Sequence, residues 1–328
     1  MPYLSVVIPA YNSEATIEDS LKSVRQSSCR DYELIVVDCG SRDETTSIAK
    51  KYADKIIELA ENDGRSHARS RGIKNSNAEI IVNIDSDVVI RPDTLTKING
   101  CFSQHPEIDA ITGMLSKDHP YQNFFSQYKN LYMHYIFSKL PERVTFLYGS
   151  IHAIRKNAIQ VYDSDIETAD DTALGQKLLS CGKRIAFLKD LEVIHLKRYN
   201  LFSFIKNDFQ IPFDWARIFL KYKGWKQLGK HGTGYAHSPK EQLMSVILAP
   251  TILLLIPAAL FGYLSFYLIS PLILGWFFLN FRFFAYLTKE KGIFFGTLAI
   301  FVTFVDNTIM ALGILSGLVS FLISKFFL

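Results

Sequence analysis

Two aspartates close an apolar run in EIIVNIDSDVVI, Glu79 to Ile90. Ile80, Ile81, Val82 and Ile84 read as a central strand covered on both faces, as in a parallel sheet. Asp85 and Asp87 then fall where that strand leaves the sheet. Residues i and i+2 of an extended segment project to one side, so both carboxylates can meet one hard cation. A dry strand end does not tolerate two unpaired charges. Mg2+ and Mn2+ prefer oxygen ligands and often share them with substrate phosphates, which makes this pair a candidate metal and phosphate site. The competing reading is a solvated turn that holds two aspartates, and the motif alone does not separate the two.

The elements that would position this pair alternate strand and helix. LSVVIPA is a strand, Thr16 to Gln26 a helix opened by Asn12 or Ser13, and LIVVDC (Leu34 to Cys39) a second strand. A turn and helix follow in GSRDETTSIAKKYA, then a short strand in KIIEL, a helix in SHARSRGIKNS and the Asp-x-Asp strand. Such alternation argues for parallel βαβ units, whose ligand crevice lies beyond the carboxyl ends of the strands. Arg91-Pro92-Asp93 begins another helix. Phe124, Tyr128, Leu131, Tyr132, Tyr135 and Ile136 then form an aromatic stripe at helical spacing. That stripe reads as core, or as a helix at a membrane interface or acceptor groove.

Charge is distributed unevenly over the 328 residues. From Leu243 onward only Arg282, Lys289, Glu290, Lys291, Asp306 and Lys325 are charged. Leu243 to Phe261 and Leu264 to Phe281 are apolar runs long enough to cross a bilayer of about 30 Å. The basic residues after the second run predict a hairpin with both ends in the cytoplasm. Ile293 to Ser324 reads as an interfacial helix up to Val305 and a third span from Thr308 to Ile323. Between Lys183 and Lys230 eleven Lys and Arg stand against four acids, a cluster suited to anionic headgroups or a lipid-linked phosphate. No nucleic-acid motif accompanies it. Cys29, Cys39, Cys101 and Cys181 form no C-x-x-C pair and read as reduced thiols. LSVVIPA lacks a basic region before it and reads as a strand, not a signal peptide.

SVVIPAYNSEATIEDSLKSV, LIVVDCGSRDET and IVNIDSDVVIRPDTL, followed in order by LYGSIHAIRKNAI, ETADDTALGQKL and VIHLKRY, resemble the family 2 glycosyltransferases of GT-A fold. The resemblance covers about residues 3 to 235. It implies a mainly parallel mixed sheet flanked by helices, with a GT-A domain over 1–235 (nucleotide-sugar half 1–115, acceptor half 116–235) and a membrane domain of two to three helices over 236–328. It further implies that Pro9 and Tyr11 border the base and ribose of a UDP- or GDP-sugar. Asp38 would accept a hydrogen bond from the base, as an ionised carboxylate can. Cys39 stands where the family's strand usually ends in a second aspartate, which puts a second polar contact in doubt. Arg65 resembles the arginine that reaches the donor, where a fork of N–H groups suits phosphate. Its other reading is a basic helix face. Glu14 either faces the nucleotide or is a first-turn helix acid.

Asp170-Asp171 matches the family's acidic pair, with Asp171 as general base toward a sugar hydroxyl. Out of family context the pair reads as an N-cap. Asp85 and Asp87, with His195 as a weaker ligand candidate, would hold Mg2+ or Mn2+. Gln210 and Trp215 fall one residue off the Gln-x-x-Arg-Trp spacing of processive synthases, with Asp214 in place of Arg, which argues against processivity. The expectation is therefore an inverting, metal-dependent transferase. It would sit in a prokaryotic cell membrane with its catalytic domain cytoplasmic, moving one sugar to a hydroxyl of a lipid-linked glycan or glycolipid. A polyprenyl-phosphate glycosyltransferase is the nearest alternative, since an ionised phosphate needs no base. A membrane-tethered nucleotide-sugar-binding scaffold is the non-enzyme alternative. A nucleotidyltransferase would want a Gly-rich phosphate loop after the first strand, and PAYNSEA offers none.

Overall fold

A computed structural model describes residues 3–159, 168–226 and 237–326. The chain divides into two compact units, Met1–Tyr121 with Phe137–Arg198, and Gln122–Ile136 with Tyr199–Leu328. The expected boundary at 235/236 and the basic residue Lys230 lie outside the described residues. The division itself falls earlier, because the aromatic stripe and the helix after Arg198 pack with the long apolar helices.

The first unit is built on β1 (Leu4–Ala10), α1 (Ile17–Arg25), β2 (Tyr32–Asp38), α2 (Thr45–Ala49), β3 (Lys55–Glu58), α3 (Arg65–Lys74), β4 (Ile80–Ile84), β5 (Val88–Ile90), α4 (Thr94–Gln104) and β6 (Ala110–Leu115). A helix α5 (Phe124–Phe137) then carries most of its length into the second unit. β7 (Ile151–Arg155), α6 (Asp170–Ser180) and β8 (Ile185–His195) complete the first. The strands form one sheet in the order β3-β2-β1-β4-β7-β6-β8-β5. β1, β2, β3 and β4 pair in parallel, as do β6 and β8, whereas β7 is antiparallel to β4 and β6, and β5 to β8. β1 and β4 are buried along their whole length, as the unbroken apolar runs require. The chain moves outward from β1 to β3 and returns to β4 on the other side of β1. That reversal creates the crevice in which such sheets bind ligands. The β1–β4 ladder ends at Val7↔Asn83, so Pro9 falls beyond it and interrupts no bond on that side.

Two local expectations need correction. α1 begins at Ile17 with Thr16 at the cap position and no side-chain cap bond, so neither Asn12 nor Ser13 caps it. Asn12 instead takes a left-handed conformation (φ 46°) and accepts from the Arg42 N–H at 2.9 Å, tying two loops together. The acidic pair does not cap α6 either. Asp170 and Asp171 are its first helical residues, with Ala169 at the cap.

The second unit joins α5 to α7 (Leu201–Lys221), α8 (Lys240–Leu260), α9 (Phe266–Lys291) and α10 (Ile293–Phe326). Asn200 opens α7 with a reciprocal capping box to Ser203. Tyr128, Leu131 and Phe204 share one core with Trp276, Phe283, Phe284 and Leu287. The aromatic stripe of α5 is thus the core of a helical unit. Three helices among the described residues are long and apolar enough to cross a membrane: Lys240–Leu260, Phe266–Lys291 and Ile293–Ser324. The third is unbroken, contrary to the division expected at Val305–Thr308. Asp306 and Asn307 do not interrupt it, because both are turned inward and buried, Asp306 toward the Tyr128 hydroxyl at 3.5 Å.

Candidate active site

β4 ends at Ile84, and the chain turns through Asp85, Ser86 and Asp87 before β5, with the Val88 N–H donating to the Asp85 carbonyl at 3.2 Å. The two aspartates therefore leave a turn, not an extended strand, and the same-side rule for i and i+2 does not apply. Asp85 faces α3, where Arg69 Nη2 donates to its Oδ1 at 2.7 Å and Arg65 Nη1 lies 3.9 Å from its Oδ2. Asp87 faces β8, with its Oδ2 3.2 Å from His195 Nε2. The Val88↔His195 pairing and the Leu196 N–H donating to the Asp87 carbonyl at 2.7 Å fix that approach. Burial works against the charge on Asp87, but His195 outweighs it and pulls the carboxyl down to about 2.

Arg69 is the residue that sequence reasoning missed. It is wholly buried, and its guanidinium donates to Asp170 Oδ2 at 2.5 Å, Asp85 Oδ1 at 2.7 Å and the Gly149 carbonyl at 3.3 Å. The signal lay in the i, i+4 spacing of Arg65 and Arg69, which places both on one face of α3. Arg65 is 45% exposed, donates to the Thr168 carbonyl at 3.1 Å and lies 3.9 Å from Asp170. One arginine is thus locked between carboxylates, while the other retains an open edge.

Asp170 and Asp171 are neighbours with opposite environments. Burial pushes Asp170 up, but Arg69 and Arg65 outweigh it and hold the carboxyl below its ordinary range. Asp171 is half-buried and accepts from the Thr172 N–H at 2.6 Å. Burial, and then the Asp170 charge, push Asp171 up to about 6. Two adjacent acids driven apart in this way are suited to different chemistry, one to remaining an anion and the other to exchanging a proton near neutrality. Gly149 makes room for them. A Cβ there would stand 3.0 Å from Asp171 Oδ2 and 3.4 Å from Arg69 Nη2. Beneath them, buried His152 donates from Nδ1 to the Tyr148 carbonyl at 3.0 Å, and burial followed by Arg69 pulls its pKa down to about 3. His152 is therefore uncharged near neutral pH.

Asp38 is buried at the end of β2. Its Oδ2 accepts from the Ser41 N–H at 3.1 Å, while Oδ1 is buried with no hydrogen-bond partner among the described residues. An orphaned buried carboxylate oxygen fits a ligand N–H. Cys39 packs among Val7, Ile35, Val37, Ala68 and Ile81, and burial pushes its thiol up to about 11. Pro9 is buried and Tyr11, just beyond β1, is 44% exposed. Glu14 is exposed and accepts from the Glu44 N–H at 3.1 Å, so it pins one loop to another.

Residues 5–163 match the model of Glycosyl transferase family 2. That segment belongs to glycosyl transferase family 2. Among curated relatives, the poly-beta-1,6-N-acetyl-D-glucosamine synthase of Staphylococcus epidermidis is 31% identical over 114 residues, 34% of this chain and 28% of the relative. The Staphylococcus aureus synthase is 27% identical over a stretch of the same length. The chain thus spans just over a quarter of the length of these relatives. Among solved structures, the mannosyltransferase PcManGT of Pyrobaculum calidifontis, in complex with GDP-Man and Mn2+, matches with a TM-score of 0.60 at 17% identity, over 99% of this chain and 88% of that one. At that identity the likeness shows the fold, which is GT-A.

Asp87 and His195 have the donor chemistry for Mg2+ or Mn2+, while the Asp85 carboxylate is turned toward Arg69 and Arg65. Among the described residues no three His, Cys, Asp or Glu side chains converge as a cage. The donors fit an ion that completes its shell with substrate and water.

Proposed function

We propose that the chain is an inverting glycosyltransferase that takes one sugar from a nucleoside diphosphate sugar and places it on a hydroxyl of a lipid-linked glycan or glycolipid. The observation that carries this reading is the Asp171 carboxylate at the N-terminus of α6, raised toward neutrality beside the Arg69–Asp170 pair. An acceptor hydroxyl hydrogen-bonded to Asp171 would lose its proton to that carboxylate as its oxygen bonds to the anomeric carbon. The bond from that carbon to the diphosphate oxygen breaks on the opposite face, which inverts the centre. The guanidinium edge of Arg65 is positioned for the departing charge, and Arg69 fixes Asp170 and Asp85 so that neither drifts toward it. Mg2+ or Mn2+ held by Asp87 and His195 would neutralise part of the diphosphate charge. Asp38 Oδ1 supports a base N–H contact, which uracil and guanine both offer.

The apolar helices support membrane anchorage and hence an acceptor carried by lipid. The deciding experiment uses Asp171→Asn in native membranes with labelled UDP- and GDP-sugars. Donor and Mn2+ binding should persist while transfer falls about 10²- to 10⁴-fold, the usual contribution of a general base. Full retained transfer would overturn the hydroxyl acceptor and favour a polyprenyl phosphate. Neither donor binding nor slow donor hydrolysis by the unaltered protein would favour a binding scaffold.

A further inference from the structure

α10 is 34 residues long, about 51 Å at the ordinary helical rise, against about 30 Å of hydrocarbon. Its route across the α8–α9 hairpin shows how that excess is used. Asn280 of α9 donates to Ser245 of α8 at 2.9 Å, so Trp276 stands level with about Ala249 and the turn near Gly262 is the far tip. α10 meets the hairpin first where a Cβ on Gly296 would strike Thr288, then where Phe304 contacts Trp276 at 5.2 Å between ring centroids. A third span climbing beside α9 would next reach the tip. Instead Met310 meets Gln242, in the first turn of α8, at 3.6 Å and clusters with Val246. The helix rises obliquely from Thr288 to the level of Trp276, then passes Gln242 and Val246. It thus crosses the lower half of the hairpin and leaves it short of the tip.

Beyond that crossing, α10 runs beside a charged helix. A Cβ on Gly313 or Gly317 would strike the carbonyls of Phe209 and Phe213, so the spacing of small residues seats α7 backbone against α10. α7 carries Lys206, Asp208, Asp214, Arg217 and Lys221, too polar a set for hydrocarbon. Both its ends bear interfacial residues. Leu201, Phe202, Ile205 and Lys206 are exposed at one end, and Lys221, Lys223, Trp225 and Lys226 at or just after the other. Meanwhile Leu298, Phe301, Val305, Leu312, Leu315 and Leu322 expose an apolar stripe along α10.

We infer that α10 does not cross the bilayer: it lies in the membrane–water interface beside α7, apolar stripe toward the acyl chains, while α8 and α9 alone form the membrane hairpin. The partner surface is a lipid monolayer, with the lysines at the ends of α7 placed for anionic headgroups. The inference rests on α8 and α9 crossing, and the test reads that separately. In the full chain with its four cysteines replaced by serine, Tyr263→Cys in the hairpin tip is probed with an impermeant maleimide on sealed vesicles of both orientations. Epitope tags of different sequence at the two chain termini are probed with protease on the same vesicles. Both tags should be cut from one side, and residue 263 should label from the other. A C-terminal tag cut from the side that labels residue 263, with the N-terminal tag opposite, would leave the hairpin intact and overturn the inference. Both tags and residue 263 on one side would mean that the hairpin does not cross, and the inference would fall with it.

Spin labels at Leu298→Cys, Val305→Cys, Leu315→Cys and Leu322→Cys give a second readout through oxygen and nickel-chelate accessibility. Four shallow depths within about 5–10 Å are expected for an in-plane helix. A spread approaching the roughly 30 Å hydrocarbon thickness would overturn the proposal.

Discussion

At the residue scale, the site depends on two carboxylates that sit side by side with different proton affinities. Because Asp171 is raised to about 6, the acid limb of the pH–rate profile should break near that value and not in the ordinary carboxylate range. A limb in that lower range would remove Asp171 from the role of base. The same shift has a stability consequence. The folded chain holds the Asp171 proton more tightly than the unfolded chain, whose carboxyl titrates near 3.8. This group's contribution is therefore most favourable below 3.8 and declines as pH rises through about 6. Asp171→Asn should raise the melting temperature of the detergent-solubilised protein under mildly alkaline conditions, reflecting a gain on the order of 1–3 kcal/mol. Under acid conditions, where the carboxyl is protonated in both states, the variant should gain almost nothing. Arg69 has the opposite character. Arg69→Met leaves Asp170 buried and uncompensated, a loss of about 3–5 kcal/mol that a thermal melt would register.

At the element scale, the turn after β4 decides where Asp85 and Asp87 face, and the N-terminus of α6 sets Asp170 and Asp171 in different surroundings. Gly149 lies just before β7 and against both Asp171 and Arg69. Gly149→Val should displace Asp171 and lower kcat, with a smaller change in donor affinity. An unchanged kcat would mean that the crowding is relieved elsewhere. In the helical unit, the Asn200 capping box holds the first turn of α7, and Asn200→Ala should cost about 1 kcal/mol, read as a lower melting temperature.

At the scale of the whole molecule, the helical unit is one folded body in which α5 and α7 pack with α8, α9 and α10. Removing residues 240–328 should therefore not release a well-behaved soluble domain. It should uncover Tyr128, Leu131 and Phe204, giving a protein that aggregates or binds hydrophobic dyes. A monodisperse truncated chain would show that the core does not need those helices.

Much of this was legible in the residues. Unbroken β-branched runs bounded by turn residues read as buried strands, and their alternation with helices implies the parallel sheet and its crevice. The motif order pointed to the family and to Asp38, Arg65, Asp85, Asp87, Asp171 and His195 as candidates, and the charge-poor tail pointed to the membrane. These signals are local, carried by composition and spacing. Other features depended on which distant side chains became neighbours. Arg69 looks like any basic helix residue until Asp85 and Asp170 close on it from different elements. Asp306 looks like a break in a helix until α5 turns a tyrosine hydroxyl toward it. Burial and pairing of charge are tertiary quantities, because the energy of a charge is set by what surrounds it and not by its place in the chain.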